Sequence, residues 1–418
     1  MANETQQFDV AVVGAGPAGM MAAIAAAELG ARVIVLEKNN RPGIKLMLSG
    51  NGRCNFTNAE QDPRKLVSAY GDNGSFLFHA FSRFGSKNIR TFFEGMGVCS
   101  KIEDRFRVFP ESDKAKDILD ALENRLRCAG VVVKYQTAVT GFSRGGRLVR
   151  EAVLNDGVVR ARNFVIASGG RSYEMTGSTG DGYRWARDLG HKVIKSKPML
   201  VPVKIKEFWV KNLSGVSLKR AGIRIVENGK KSPMAIGECL FTHFGLSGPL
   251  VLDLSGRIGN ALKGGPVKLL ISFLPQKSLA EIEQDIMADL KNGKNKELKN
   301  CFTELMPKIL TSAILALAGV DQEKHANSLT REERQKIVSL LFQTPVTAMG
   351  LLGFDLAIIT GGGIDPKEID GKTMRSKLVD NLFFAGEIIN VHGVTGGYNL
   401  QQCWSTGYLA GTAAAKNL

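Results

Sequence analysis

The sequence predicts an α/β fold in which an inserted antiparallel, barrel-like β module and a helical module split a Rossmann-like domain. Three observations carry this prediction. An apolar run at 8–13, a glycine-rich turn, an Ala-rich segment and a second apolar run at 31–36 follow the order of a βαβ unit. Buried-strand patterns return at 163–170 and again at 382–387. The residues from 192 to about 342 read first as short strands and then as helices.

The glycine-rich turn after the first strand has the spacing of a dinucleotide fingerprint. Gly14 allows a tight turn, Gly16 allows backbone to approach a pyrophosphate, and Gly19 allows the following helix to pack close to the strand. The N–H groups at the start of that helix point towards the phosphates. Glu37, at the end of the second apolar run, is placed to accept hydrogen bonds from a ribose. The alternative, a glycine-rich turn in an ordinary βαβ unit, does not need this carboxylate.

The remaining patterns order the chain into segments. We expect an ordered, ligand-lining loop at 41–58, because it is rich in Gly and Asn and has no sustained period. The other expected elements are helices at about 75–96 and 113–128, strands at 131–135, around 139 and at 153–159, a strand at 357–363 and a C-terminal helix. Ser278 with Glu281, and Thr330 with Glu333, match the capping-box spacing. The domain bounds that follow are 1–192 with 346–418 for the Rossmann-like domain, 193–276 for the β module and 277–345 for the helical module.

A second ligand signature lies near the C-terminus. The strand pattern ends at Gly386-Glu387, and the run Gly396-Gly397-Tyr398-Asn399 opens the last helix. Glu387 is placed to bond a ribityl hydroxyl or the pyrophosphate edge, and N–H groups at the helix start would stabilise an anionic reduced flavin ring. A nicotinamide enzyme needs only the first βαβ unit, whereas a flavin held at both ends needs this second site. The sequence therefore favours FAD over NAD as the resident cofactor.

Several longer motifs give the chain a family resemblance. They are 43–58 (GIKLMLSGNGRCNFTN), 107–110 (RVFP), 167–173 (ASGGRSY), 176–182 (TGSTGDG), 240–249 (LFTHFGLSGP), 373–377 (TMRSK) and 395–400 (TGGYNL). With these motifs the chain resembles the BaiN/YhiN-like bacterial flavoproteins, also labelled the aminoacetone oxidase family, within the glutathione-reductase-like FAD superfamily. It departs from the family pattern at Glu174, where a Pro is common, and at Asn390 and His392, where an acidic stretch is common.

The resemblance implies FAD bound in the Rossmann-like domain. Together with the fingerprint, it assigns the cofactor to Gly14, Gly16, Pro17, Ala18, Gly19, Glu37, Lys38, Lys45, Ser49, Gly50, Asn51, Gly52, Arg53, Ala167, Gly169, Gly170, Gly386, Glu387, Gly396, Gly397, Tyr398 and Asn399. It also implies an activity: reduction of a uridine in 23S ribosomal RNA to dihydrouridine for some members, and reduction of steroid-like enones or oxidation of aminoacetone for others.

Two missing patterns limit the mechanism. The chain has no second strand-linked glycine fingerprint for a resident NADPH domain; the run 177–182 has glycines but neither the strand before it nor the carboxylate after it. It has no adjacent dithiol either, which argues against a disulfide reductase. We therefore expect NAD(P)H to dock transiently in the substrate cleft and to reduce the flavin there.

Flavin chemistry needs orientation, a proton source and exclusion of water from the protein. The candidates for the proton source are Cys54, His243, His392 and Tyr398, with Cys403 expected in the core. Cys54 is equally explained as a small buried side chain, and His243, expected to roof the cleft, as a structural histidine. Arg53 and Arg171 could hold an anionic substrate or phosphate, or could be solvated surface arginines.

Composition sets the remaining expectations. The 418 residues carry 55 Lys and Arg against 40 Asp and Glu, a net charge of +15, which suits an anionic partner such as ribosomal RNA bound on a folded basic surface. The six cysteines are scattered and form no metal-binding pair, so no metal site is expected. The polar start Met1–Gln7 and the short apolar run after it resemble neither a signal peptide nor a membrane span, which predicts a cytoplasmic protein.

These observations predict a FAD-dependent oxidoreductase that passes hydride to an electron-poor C=C bond, with the rRNA uridine as the favoured substrate. A small-molecule flavoenzyme, either an enone reductase or an aminoacetone oxidase, is the alternative. A flavin-containing RNA-binding protein without catalytic activity is the second alternative. It would bind RNA with a steep salt dependence and show no NAD(P)H-dependent turnover.

Overall fold

The structure is a computed structural model that describes residues 8–418. Met1–Gln7, from which the sequence analysis expects no signal peptide, lie outside the described residues. The chain forms two compact units, one made of the described part of Met1–Met199 together with Phe354–Leu418, and an inserted one made of Leu200–Gly353. Each unit has its own hydrophobic core.

The strands are, in chain order, β1 (Phe8–Val13), β2 (Val33–Leu36), β3 (Thr57–Asn58), β4 (Ser100–Glu103), β5 (Arg107–Pro110), β6 (Val132–Lys134), β7 (Val139–Gly145), β8 (Leu148–Leu154), β9 (Gly157–Ile166), β10 (Val193–Met199), β11 (Val203–Ile205), β12 (Ser217–Glu227), β13 (Lys230–Lys231), β14 (Ala235–Thr242), β15 (Gly245–Ser247), β16 (Val267–Ser272), β17 (Thr344–Leu351), β18 (Ile359–Ile364) and β19 (Leu382–Phe384).

The helices are α1 (Pro17–Ala27), α2 (Ile44–Leu48), α3 (Pro63–Ser68), α4 (Phe78–Arg83), α5 (Ser86–Glu94), α6 (Ala115–Cys128), α7 (Asp181–Asp188), α8 (Phe208–Asn212), α9 (Pro249–Ala261), α10 (Leu279–Asn292), α11 (Lys308–Ala318), α12 (Arg331–Phe342) and α13 (Tyr398–Lys416). Within residues 8–418, none of them combines the length and the apolar character that crossing a bilayer would need.

The central sheet of the first unit has the predicted Rossmann-like character. β6, β2, β1, β9 and β19 run parallel in that order, and β7 and β8 extend the sheet as an antiparallel hairpin beside the first half of β9. The hairpin leaves β9 where β19 joins it. There the buried Asn381 side chain bridges the strands, because its amide donates to Val149 O and Arg162 O at 2.8 Å and accepts from Val149 N–H at 2.9 Å.

The C-terminal helix α13 packs so closely on α1 that the backbones of the two helices are in contact. A Cβ on Gly407 would overlap the carbonyl oxygen of Ala18, and one on Gly411 would overlap that of Ala22. Only glycine fits at such positions. This close packing holds the last helix of the chain directly behind the first glycine-rich turn.

The inserted unit contains a closed antiparallel barrel of six strands. The order is β12, β14, β15, β11, β17 and β16, and pairing of β16 with β12 closes the ring while β13 lies at the edge of β12. The helices α10, α11 and α12 share one hydrophobic cluster with the barrel, so the β and helical modules form a single unit. Both predicted capping boxes are present, with Ser278 N–H donating to Glu281 and Thr330 N–H to Glu333, each at 2.8 Å.

Several predicted bounds differ from the structure. Residues 193–199 form β10, which pairs with β18 in the first unit, and residues 346–351 belong to barrel strand β17, so the inserted unit is 200–353 rather than 193–345. The predicted strand 153–159 is instead the end of β8 and the start of β9, because the turn at Asn155-Asp156-Gly157 reverses the chain between them. The expected ordered loop 41–58 contains the short helix α2, and the expected helix 75–96 breaks before Gly85.

Candidate functional site

The glycine-rich turn has the geometry that its spacing predicts. Gly14 has φ +102°, and a Cβ there would lie 2.7 Å from the carbonyl oxygen of Ala167. A Cβ on Gly19 would overlap the carbonyl oxygen of Gly14, so α1 can pack on the turn only without a side chain. A Cβ on Gly16 would meet no atom within 4 Å. Gly14 and Gly19 therefore serve the fold, and the space beside Gly16 is left open.

This open space belongs to a cavity of about 310 Å³ in the first unit. The turn, the end of β2 and α2 form one part of its lining; the loop after β9 and the residues after β19 form another. Among the predicted cofactor residues, those that line it are Gly14, Gly16, Pro17, Ala18, Glu37, Lys38, Lys45, Ala167, Gly169 and Glu387. The structure thus brings residues from the two ends of the chain to one cavity.

Glu37 is held in place by backbone donors. Its Oε2 accepts from the N–H of Ala15 at 2.7 Å and its Oε1 from the N–H of Asn39 at 2.8 Å. The residue is only 7% exposed, so its orientation is fixed before any ligand binds. Each carboxylate oxygen can accept a further bond. This arrangement suits acceptance of hydrogen bonds from ribose hydroxyls.

Lys38 belongs to a polar network at the same cavity. Its Nζ donates to Thr179 Oγ1 at 2.6 Å and to Asp181 Oδ2 at 3.0 Å. Partial burial alone would raise the pKa of Asp181, but the hydrogen bonds from Thr179 and Lys38 and the charge of Lys38 hold it below its ordinary value. Lys38 thus enters the cavity as a paired cation.

Glu387 joins three distant parts of the chain. Its Oε2 accepts from Lys45 Nζ at 2.7 Å, and its Oε1 accepts from the N–H of Thr360 at 2.7 Å. Gly170 lies directly behind this pair, since a Cβ there would come within 2.9 Å of Glu387 Oε1. The N–H of the preceding Gly386 donates to Thr406 Oγ1 on α13 at 2.9 Å. The strand end after β19 is therefore fixed at the cavity.

The other predicted cofactor residues lie outside the cavity lining. Ser49, Gly50, Asn51, Gly52 and Arg53 follow α2, and Gly396, Gly397, Tyr398 and Asn399 begin α13. The start of α13 instead packs on β3: Asn58 Nδ2 donates to the carbonyl oxygen of Gly396 at 3.0 Å, and a Cβ on Gly397 would overlap the carbonyl oxygen of Thr57. The amide of Asn399 bonds to the backbone of Gly393 at 2.8 and 3.0 Å.

The two candidate arginines have intramolecular partners. The guanidinium of Arg53 bonds Asp113 at 2.9 Å and Glu103 at 3.2 Å and lies 4.0 Å above the ring of Phe109. The hydrogen bonds that Arg53 donates to the Glu103 and Asp113 carboxylates raise its pKa. Arg53 is therefore part of an ion-pair cluster, and its assignment to the cofactor or to an anionic substrate stays a prediction. Arg171 likewise bonds Glu174 at 2.9 Å and lies 4.8 Å above the ring of Phe354.

The two candidate thiols differ in position. Cys54 is fully buried, has φ +60° and does not line the cavity, and burial raises the pKa of its thiol to about 12. This environment disfavours Cys54 as a proton source. Cys403, expected in the core, lines the cavity from α13, and burial raises its pKa to about 12 as well.

The histidine candidates lie in different units. His243 is an exposed residue of the inserted unit, with its ring 4.8 Å from that of Phe244, and its expected role as a roof of the cleft stays a prediction. His392 is in the first unit, and its buried Nδ1 has no partner among the described residues. Burial lowers the pKa of His392, Lys197 lowers it further, and Glu387 acts in the opposite direction. Tyr398, the remaining candidate, packs edge-on against Tyr70 at 6.0 Å.

The cavity also has lining residues that the motifs did not single out. Ser168 is the most informative, because its hydroxyl is buried in the lining and has no partner among the described residues. It lies inside the quoted 167–173 motif, which is the signal that could have found it. Residues 137–140 line the cavity too, but nothing in their sequence indicates a ligand. No group of three or more potential metal-ligating side chains occurs in the described part of the chain.

The open space at Gly16, the fixed carboxylate of Glu37 and the unpartnered Ser168 hydroxyl fit a dinucleotide with ribose and phosphate groups. A family model described as the HI0933-like protein Rossmann domain matches residues 8–413. The chain belongs to the HI0933-like family. Membership confirms the predicted Rossmann-like fold and the prediction of a FAD-binding oxidoreductase.

Curated relatives of the family match over nearly the whole chain. A 3-dehydro-bile acid delta(4,6)-reductase of Clostridium scindens is 32% identical over 416 residues, 97% of this chain and 99% of that protein. The ribosomal RNA dihydrouridine synthase of Haemophilus influenzae is 30% identical, over 97% of this chain and 98% of that protein. The Escherichia coli enzyme of the same name is 29% identical, over 96% of this chain and 97% of that protein.

Solved structures show the same fold. A 3-ketosteroid-delta4-(5alpha)-dehydrogenase from Rhodococcus jostii is 18% identical and has a TM-score of 0.56. The match covers 99% of this chain and 98% of that protein. A flavocytochrome c3 fumarate reductase is 18% identical and has a TM-score of 0.54. The match covers all of this chain and 79% of that protein. At this level of identity the likeness concerns the fold alone.

Proposed function

We propose that this protein is an NAD(P)H-driven reductase that converts a uridine of 23S ribosomal RNA to dihydrouridine. The observation that carries the FAD-dependent part is the cavity shared by the glycine-rich turn and Glu387. The RNA substrate is supported by the full-length similarity to two ribosomal RNA dihydrouridine synthases and by the net charge of +15. Such a reaction belongs with ribosomes in the cytoplasm.

The proposed reaction is balanced by one reduced nicotinamide. NAD(P)H and a proton are consumed, the C5=C6 bond of uracil becomes a single bond, and NAD(P)⁺ is released. Bound FAD would supply the hydride-transfer chemistry that links the nicotinamide to the uracil ring. The C4 carbonyl conjugated with C5=C6 makes C6 the electron-poor carbon that accepts hydride, so C5 needs a proton. The protein must therefore supply orientation, a dry cavity and this proton.

We assign the cofactor's ribose to Glu37 and its pyrophosphate to the N–H groups at the start of α1. That helix begins with Pro17 and has no side-chain cap, so its first N–H groups are available to an anion. Ser168 supplies a hydroxyl that has no partner within residues 8–418. Lys45 and Glu387 add a paired cation and anion that join the two parts of the lining.

We assign the proton path to His392 rather than to Cys54. The imidazole has an unpartnered nitrogen and lies within electrostatic range of Glu387. Its lowered pKa keeps it neutral at pH 7, so that one ring nitrogen carries a proton and the other can accept one. Neither residue lines the cavity, but the Cys54 thiol is fully buried and burial raises its pKa to about 12, which disfavours release of its proton.

A bile-acid-like enone is the second candidate substrate, because the reductase from Clostridium scindens matches this chain at 32% identity. The chemistry is closely related, since a 3-keto steroid also conjugates its C=C with a carbonyl. The two candidates differ in charge: an RNA substrate carries many phosphates, and an enone does not. Aminoacetone oxidation and RNA binding without turnover are the further alternatives to be tested.

The deciding experiment maps dihydrouridine in 23S rRNA from a strain lacking the gene. We expect one dihydrouridine to disappear and to return when the wild-type gene is supplied on a plasmid, but not when the supplied gene carries Gly16→Val. An unchanged modification map would rule out the RNA reaction. In parallel, anaerobic NADH or NADPH should bleach the bound flavin, whereas rapid peroxide release with aminoacetone would favour an oxidase. RNA binding without any bleaching would favour the non-catalytic alternative.

A further inference from the structure

Positive charge is unevenly distributed within the inserted unit. Residues 200–277, which include most of the barrel, contain twelve Lys and Arg but only four Asp and Glu. Residues 278–353, which include α10, α11 and α12, contain nine Lys and Arg and ten Asp and Glu. The surplus therefore lies on the barrel, and the helical part of the same unit is close to neutral.

Three lysines of the barrel lie on one row across neighbouring strands. The N–H of Lys206, directly after β11, donates to Thr347 O on β17 at 2.9 Å. Thr347 is opposite Lys268 on β16, Lys268 is opposite Val226 on β12, and Val226 is opposite Lys231 on β13. Residues directly opposite in antiparallel strands share a face of the sheet.

This face is the outer one. Lys206, Lys231 and Lys268 are exposed, and the neighbours of Lys268 along its strand, Val267 and Leu269, are buried in the core. Adjacent strands are about 4.8 Å apart, so successive lysines, two strands apart, are separated by about 10 Å across the sheet. We call Lys206, Lys231 and Lys268 the barrel lysine row.

Members of the row have no ion-pair partner within residues 8–418; Lys231 donates to the neutral Gln343 Oε1 at 3.0 Å. Several basic residues near and in the helical part are, in contrast, neutralised. Lys324 pairs with Glu333 at 2.8 Å and Arg334 with Glu283 at 3.2 Å. The row thus presents uncompensated charge, and such charge attracts anions.

We propose that the barrel lysine row is a docking surface for the phosphate backbone of RNA. This proposal rests on the proposed RNA substrate and names the part of the chain that would hold it. Ammonium groups contact phosphates as point charges, and the residues between them, Thr347 and Val226, offer little to read bases. The surface would therefore position RNA without regard to its sequence, and selection of the uridine would occur elsewhere.

The test compares two triple variants of the flavin-loaded protein. One is Lys206→Gln, Lys231→Gln, Lys268→Gln. The control, Lys291→Gln, Lys308→Gln, Lys336→Gln, removes the same charge from exposed lysines of the helical part that make no ion pair within residues 8–418. Binding of a fluorescein-labelled 20-nucleotide single-stranded oligouridine is followed by anisotropy at salt concentrations from 50 to 200 mM.

We expect the row variant to lose at least tenfold in affinity at 50 mM salt. Each lost contact with single-stranded RNA lowers the slope of log K against log salt by about 0.7, so its slope should fall by about 2. The control should stay within twofold of wild type. Equal losses in both variants, or no binding by the wild type, would overturn the proposal. Tight binding to phosphatidylglycerol vesicles but not to RNA would also overturn it.

The outcomes separate this surface from the proposed reaction. An unchanged dihydrouridine map with salt-sensitive binding through the row would refute the rRNA reaction and leave the surface standing. A lost dihydrouridine with identical binding by both variants would refute the surface alone. Flavin absorption of each variant shows that the cofactor domain is intact.

Discussion

Two glycine-rich segments of this chain look alike in sequence and differ in structure. At the first, a Cβ on Gly16 would meet nothing within 4 Å, and the space beside it is cavity. At the second, the place of a Cβ on Gly397 is filled by the carbonyl of Thr57 and, at 2.8 Å, by Asn55 Oδ1. The first glycine leaves room for a ligand and the second leaves room for the protein's own backbone. Glycine spacing alone does not distinguish these uses.

The largest expected effect is on folding at the second segment. Gly397 has φ +94°, so Gly397→Ala adds both backbone strain and overlap with Thr57. We expect the free energy of unfolding to fall by about 4 kcal/mol, measured by urea denaturation. Gly52→Ala is the matched control, because Gly52 has φ +83° but open space around it, and it should cost only about 1–2 kcal/mol. Equal costs would mean that close packing at Gly397 is not the reason for its glycine.

The reverse pattern is expected at the first segment. Gly16 has φ −81° and ψ −178°, which any residue adopts, so Gly16→Val should change the stability of the apoprotein by less than about 1 kcal/mol. It should weaken FAD binding at least tenfold, because its side chain enters the space assigned to the pyrophosphate. Titration of the apoprotein with FAD, followed by flavin fluorescence, measures this.

Gly353→Val is the control for this substitution, since Gly353 also has open space around it and lies in the inserted unit. Its FAD affinity should match wild type. Should Gly16→Val bind FAD normally, the assignment of the cofactor to the open side of the turn is wrong. The two glycines would then no longer differ in function.

A smaller effect is expected at Glu37, which belongs to the ligand side of the comparison. Glu37→Gln keeps the shape but turns an N–H₂ group towards one of the two N–H donors, Ala15 or Asn39. We expect a loss of about 1–2 kcal/mol in stability and a further loss in FAD affinity, because the amide is a weaker acceptor for ribose hydroxyls. Thermal unfolding with and without saturating FAD separates the two. An unchanged stabilisation by FAD would remove Glu37 from the cofactor site.

Local motifs predicted the parts of the site that one continuous segment forms. The turn at 14–19 and Glu37 belong to a single βαβ unit, whose geometry follows from its spacing. Ser168 and residues 137–140 reach the cavity only because β9 and the β7–β8 hairpin lie in one sheet, and spacing along the chain carries no record of that. The sequence did not predict the ion-pair cluster of Arg53 for a related reason, since Glu103 and Asp113 meet it only after folding.

The bounds of the units show the same limit. β10 and β17 both have patterns of ordinary strands, and only their partners, β18 in one case and β11 and β16 in the other, decide to which unit each belongs. Asn155-Asp156-Gly157, however, is a turn signal that the sequence contains, and the predicted strand across it overlooked that signal. The unit bounds could be determined only from the folded structure, whereas the turn at 155–157 could have been predicted from the sequence.

The smallest expected effect concerns pH and tests whether His392 belongs with the ligand side. Its pKa is lowered in the folded protein, mainly by burial, whereas in the unfolded chain it titrates near 6.5. Below that pH the unfolded chain therefore binds more protons than the folded chain. The stability that the neutral imidazole contributes is complete above about pH 6.5 and declines as the pH falls towards the folded pKa. We expect His392→Asn to flatten the dependence of the unfolding free energy on pH below about pH 6.5.

The bound cofactor offers a second comparison at the same residue. Lys197 and Glu387 are the charged groups acting on this imidazole, and saturating FAD should alter the His392-dependent part of the slope if the ring serves the cofactor site. A His392-dependent slope that is identical with and without FAD would make His392 a structural residue.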